Sequence, residues 1–126
     1  MTHQVLISLA SNCDQEPNLQ EAQRRLLQAF SSCRFTKAIW TEPVGSKTSS
    51  LGFNQGTLYL NQLLYAQTSM PVSELEAWLK KQEREMGRTQ EDRTAGIVRI
   101  DLDLLQYDND RYHLRDWERD YIKKLL

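Results

Sequence analysis

The chain has 126 residues, 26% charged and 40% hydrophobic, with Lys+Arg at 16 against Asp+Glu at 17. That length fits one domain whose core needs no disulfide staples, and the near-even charge argues against broad nucleic-acid or anionic-membrane binding. No apolar run approaches membrane-spanning length, the start MTHQVLISLASN lacks the basic and long apolar parts of a secretory signal, and Cys13 and Cys33 have no metal-type spacing. The expectation is a cytoplasmic protein with two reduced thiols.

Val5 to Leu9 is mostly apolar and reads as a first, central strand. A helix follows. Asp14 can cap it, Pro17 suits its first turn, and Leu19, Ala22, Leu26, Leu27 and Phe30 recur at helical spacing as a core face. Phe35 to Thr41 carries aromatic and branched residues and reads as a second strand, broken by Glu42-Pro43-Val44-Gly45. The Ser- and Gly-rich stretch 46–56 reads as a mobile loop. Leu58 to Ala66 is a third strand, whose parity puts Tyr59, Asn61, Leu63 and Tyr65 on one face and Leu58, Leu60, Gln62 and Leu64 on the other. Ser69-Met70-Pro71 opens a second helix with Val72, Leu75, Trp78, Leu79 and Met86 as its buried stripe, and Gly87 stops it. Arg88 to Gly96 reads as a charged loop, Ile97 to Leu105 as a fourth strand, and Asp108-Asn109-Asp110 as a turn. The mixed tail from Tyr112 to Leu126 suggests a short helix. Strand, helix, strand, strand, helix, strand is the βαββαβ order of a ferredoxin-like α+β fold, an antiparallel sheet with helices packed on it, spanning 1–126 as a single domain.

The last strand holds two acids. Alternation puts Arg99, Asp101 and Asp103 on one face and Val98, Ile100, Leu102 and Leu104 on the other, with the carboxylates roughly 7 Å apart along the strand. A solvated face on which Arg99 pairs with Asp101 accounts for this pattern about as well as a Mg²⁺ site does, since Mg²⁺ favours one or two carboxylates together with substrate phosphates. Arg88, Arg93, Arg99, His113, Arg115 and Arg119 flank the strand in sequence, and arginine suits phosphate because its planar fork makes paired charge-assisted hydrogen bonds. Each of these taken singly reads as surface charge. Tyr59 and Asn61 could hold a flat heterocycle by stacking and paired hydrogen bonds, or serve as ordinary core and edge residues.

Taken in order, the motifs resemble the 6-hydroxymethyl-7,8-dihydropterin pyrophosphokinase family of folate biosynthesis. They are Ala10-Ser11-Asn12, Thr41-Glu42-Pro43-Val44-Gly45, Tyr59-Leu60-Asn61-Gln62, Glu83 with Gly87-Arg88, Asp101-Leu102-Asp103-Leu104-Leu105, and His113 with Arg119 and Tyr121. The resemblance implies an enzyme that passes pyrophosphate from ATP to the hydroxymethyl group of the pterin, releasing AMP. It further implies Asp101 and Asp103 as ligands of two Mg²⁺ ions, and Thr41, Val44, Tyr59, Asn61 and Tyr121 around the pterin. Arg88, Arg99, His113 and Arg119 would meet the triphosphate, with Arg88 catalytic and Glu83 supporting the nucleotide side. The implied partners are ATP and hydroxymethyl-dihydropterin, with no nucleic acid and no membrane; a monomer is compatible with all of this. The chain departs from the family pattern at Gln90, Ala95 and Val98, where the family has Arg, Trp and Arg, and ends at Leu126 without the family's closing helix and strands. These departures point to a weakened or retuned enzyme, or to a non-catalytic pterin- or nucleotide-binding relative acting as a sensor or partner subunit.

Overall fold

A computed structural model describes residues 1–42, 58–87 and 89–126. The strands are β1 (His3–Ser11), β2 (Ser31–Phe35), β3 (Ile39–Thr41), β4 (Tyr59–Thr68), β5 (Asp101–Tyr107) and β6 (Asp110–Arg111). The helices are α1 (Gln15–Ala29), α2 (Val72–Glu85), α3 (Gln90–Ala95) and α4 (Asp120–Leu125), the last preceded by a 3₁₀ turn over Asp116–Glu118. The strands form one antiparallel sheet in the order β2–β4–β1–β5–β6, with β3 also paired to β4. The antiparallel α+β fold expected from the sequence is the fold observed.

β1 lies between β4 and β5, which explains its apolar run: both faces of its centre are covered. Ile7 and Leu9 pack with Leu60, Leu64, Leu102 and Leu104 beneath α1 and α2, which add Leu19, Leu26, Leu75 and Leu79. On the opposite face Leu6, Leu63 and Leu105 are covered by Trp117, Ile122 and Leu125. Each fully buried leucine or isoleucine contributes about 1.5–3 kcal/mol relative to exposure. The Trp117 indole N–H donates to the backbone oxygens of Leu105 (3.2 Å) and Tyr112 (3.1 Å), so the 3₁₀ turn is pinned to the sheet by direction as well as by area.

Several boundaries differ from the sequence reading. The fourth long strand starts at Asp101, because the backbone of Val98 is already paired with Asn12: Asn12 N–H donates to Val98 O (2.8 Å) and Val98 N–H to the Asn12 side-chain oxygen (2.6 Å). Arg99 therefore precedes the strand and does not share a strand face with the two acids. The charged segment expected as loop contains α3; Thr89 caps it by accepting from Asp92 N–H (3.1 Å), and Gly96 ends it at φ 73°, where a side chain would be strained. The expected second strand is two, β2 and β3, parted where the Thr36 N–H donates to Leu63 O (2.9 Å) and its hydroxyl accepts from Leu63 N–H (3.0 Å). Leu27, placed on the core face of α1, is 56% exposed. Asp14 stands at the N-cap of α1 but in the left-handed region, and its side chain makes no capping bond. The short helix expected in the tail is α4. The loop expected over 46–56 lies outside the described residues.

Candidate active site

The ladder aligns the site residues in rows. Ala10 of β1 pairs with Asn61 on one side and Asp101 on the other, and Ser8 pairs with Leu63 and Asp103. Paired residues point to the same face, so Asn61, Ala10 and Asp101 form one row across β4, β1 and β5. This face is the one opposite α1 and α2, since Leu60, Leu9 and Leu102 point to the helices. Two inter-strand spacings separate Asn61 from Asp101, about 10 Å. Ser8 and Ala10 between them are small and half-buried, so the floor between the amide and the acids is low. The sequence reading took Ala10 only as part of the Ala10-Ser11-Asn12 motif and did not single out Ser8; small size within an apolar strand was the available signal.

At the β4 end, Thr41 lies opposite Tyr59 and Ile39 opposite Asn61. Asn61 is buried, and its amide nitrogen donates to Thr41 Oγ1 (2.7 Å), with Ile39 O (3.4 Å) and Tyr59 O (3.3 Å) also in reach. The amide is thus fixed in orientation, with a carbonyl oxygen that can accept from a ligand. A cleft of about 510 Å³ adjoins this corner, lined among others by Trp40, Thr41, Arg115, Arg119 and Tyr121. Burial, reinforced by Asp116, raises the Tyr121 phenol above its ordinary pKa, so the ring is neutral. Arg119 is held by Asp116 (Nε to Oδ1, 3.0 Å) at the mouth of the same cleft.

At the β5 end, Asp101 and Asp103 project from one strand face beside Glu83 of α2. Glu83 is buried, and one of its oxygens accepts from the backbone N–H of Leu102 (2.8 Å), which ties α2 to the strand between the two acids. Lys80 donates to that same oxygen (3.2 Å) and to Asp103 Oδ1 (3.4 Å), while His113 Nε2 stands 3.8 Å from Asp103 Oδ1. His113 has φ 53°, an uncommon conformation for histidine. Burial, then Asp103 and Glu83, push the Asp101 carboxyl up to about 8, and Lys80 offsets only part of this. Burial would lower the Lys80 ammonium, but Glu83, Asp103 and Asp101 outweigh it and hold the pKa above the ordinary value. Among the described residues no three His, Cys, Asp or Glu side chains converge on one point; the two carboxyls of Asp101 and Asp103 on one strand face are the kind of donor pair Mg²⁺ takes together with substrate phosphates.

Arg99 is turned to Asp92 (Nε to Oδ2, 2.9 Å) and is not paired with the acids in the described geometry. Of the residues singled out in the sequence, the structure gathers Thr41, Tyr59, Asn61 and Tyr121 at one end and Glu83, Asp101, Asp103 and His113 at the other. Arg119 lies with the first group, and Val44 and Arg88 lie outside the described residues. Lys80 was missed, because a lysine on an otherwise solvated helix face carries no signal until the helix is docked.

The antiparallel α+β fold thus carries an acidic pair at one end of a sheet face and a fixed amide at the other. The chain belongs to the family described as 7,8-dihydro-6-hydroxymethylpterin-pyrophosphokinase (HPPK), whose sequence model matches residues 6–126. This is a family of diphosphokinases that transfer pyrophosphate from ATP to hydroxymethyl-dihydropterin in folate synthesis. A comparison with curated proteins finds no match. Among the described residues no helix is long and apolar enough to cross a membrane.

Proposed function

We propose that this protein itself transfers pyrophosphate from ATP to the hydroxymethyl group of 6-hydroxymethyl-7,8-dihydropterin, releasing AMP, and does so in the cytoplasm with small molecules as its only required partners. The observation that carries this reading is the row Asn61–Ala10–Asp101, which sets a fixed side-chain amide and a carboxyl on one face about 10 Å apart. That span suits a flat ring at one end and a phosphate chain at the other.

Asn61, oriented by Thr41, would recognise the pterin edge, with Tyr59, Tyr121 and Val44 completing its surroundings. Asp101 and Asp103 would hold Mg²⁺, supplying charge neutralisation on the transferring group. Arg88, Arg99, His113 and Arg119 would bind the triphosphate, with Glu83 bracing the strand that bears the acids. The pterin hydroxymethyl oxygen would attack the β-phosphorus and give up its proton to solvent, the bond from β-phosphorus to the α,β-bridging oxygen would break, and AMP would depart. The residues act by orienting the two reactants and by meeting developing charge with fixed dipoles and cations. Addition of hydroxymethyl-dihydropterin to protein, ATP and Mg²⁺ is expected to release AMP; a folded protein that releases none overturns the assignment.

The Arg99–Asp92 pairing favours a second reading, a binder without turnover, because an arginine committed to a carboxylate is not directed to phosphate. It predicts calorimetric binding of pterin or nucleotide with no AMP formed.

A further inference from the structure

Lys80 stands between the acid pair and a neighbouring cleft, and Glu83 belongs to both surroundings. On one side its ammonium contacts Glu83 (3.2 Å) and Asp103 (3.4 Å). On the other it lines a cleft of about 380 Å³ between α2 and α3, together with Glu83, Arg84, Thr89, Gln90 and Arg93. Arg84 and Arg93 are exposed, and among the described residues neither has an ion-pair partner. The lysine side chain is half-exposed on a flexible four-carbon stem, so exchanging one partner for another is cheap.

We propose that Lys80 is a positioning residue that neutralises Asp103 and, when a nucleoside triphosphate binds, releases Asp103 to grip the terminal phosphate in the α2–α3 cleft beside Arg84 and Arg93. This rests on the reading above that Asp101 and Asp103 hold Mg²⁺. An ammonium 3.4 Å from Asp103 Oδ1 repels any divalent cation seated on that oxygen, so the lysine must withdraw or the metal binds weakly. The cleft carries Arg84 and Arg93 against the single carboxylate Glu83, so its cationic excess is met fully only once a polyanion has entered. The two moves are therefore coupled: the nucleotide draws away the charge that opposes the metal, and the metal releases the charge that the nucleotide needs.

The test is calorimetry with two probes, Mg²⁺ alone and a non-hydrolysable ATP analogue in saturating Mg²⁺. Lys80→Gln is expected to tighten Mg²⁺ alone about tenfold while weakening the analogue by a similar factor. Lys80→Arg is expected to restore both towards wild type. The Arg84→Gln/Arg93→Gln double variant is expected to weaken the analogue and leave Mg²⁺ alone unchanged. Asp103→Asn probes the underlying reading: if wild type and this variant bind Mg²⁺ equally, the metal assignment fails. If Asp103→Asn loses Mg²⁺ but Lys80→Gln alters neither affinity, or moves both in the same direction, the role given to Lys80 is overturned. Should the glutamine variant not fold, Lys80→Met reads the same two affinities.

Discussion

Magnesium binding should depend steeply on pH, through Asp101. Its carboxyl is held up to about 8 by burial and by Asp103 and Glu83. At pH 7 Asp101 is therefore mostly protonated, so metal binding must first expel a proton. Calorimetric Mg²⁺ affinity should rise roughly tenfold per pH unit from pH 6 to 8 and level off above, with about one proton released per ion below pH 7. The same shift bears on stability. The native state retains a proton that the unfolded chain has lost above the ordinary carboxylate range, so metal-free stability should fall as pH rises from about 4 to 8. Asp101→Asn removes this term: the metal-free variant should melt higher than wild type at pH 8, and Mg²⁺ should no longer raise its Tm. A Mg²⁺ affinity that is flat from pH 6 to 8, or an Asp101→Asn protein still stabilised by Mg²⁺, would refute the reasoning.

Asn61→Ala removes the buried donor to Thr41 and should cost about 1–3 kcal/mol in urea unfolding, and it should abolish measurable pterin binding; unchanged pterin affinity would count against the amide as its recognition group. Trp117→Ala should cost about 3–5 kcal/mol, because the indole both fills the core and donates to Leu105 and Tyr112. Limited proteolysis should then cut first near α4, and equal resistance would show that α4 is held by other contacts. Glu21 lies well below the ordinary carboxylate range, at about 2, through its bonds to Arg24 and Arg25. Its stabilising share is present above the ordinary carboxylate pKa and lost as pH falls towards 2, yet the cluster is solvent-exposed. Glu21→Gln should therefore change stability by less than about 1 kcal/mol at neutral pH, and a larger loss would mean these ion pairs fix how α1 meets α2.

Most of the fold was legible because its long elements bury one face. Leu19, Ala22 and Leu26 at helical spacing, and the parity of β4 with Leu60 and Leu64 inward, follow from backbone geometry that local sequence already expresses. The acid pair and Asn61 were legible for the same reason, polar residues on one face of otherwise apolar strands. Helix α3 was not, although Thr89 followed by Asp92 is a cap signal: with 6 residues it is too short to show a period. The start of β5 was not legible either, since Ile97 and Val98 have strand-like side chains and only the backbone bonds to Asn12, distant in sequence, take them out of the ladder.

Tertiary structure alone decided what the acids meet. Pairing through Ala10 sets Asp101 in register with Asn61, docking of α2 brings Glu83 and Lys80 to β5, and the pairing of Arg99 with Asp92 leaves Lys80 and His113 as the cations placed around Asp103 among the described residues. Chemical character is written residue by residue along the chain. Which charges neutralise one another depends on distances of a few ångströms between segments far apart in sequence, and those distances exist only once the sheet has closed around β1.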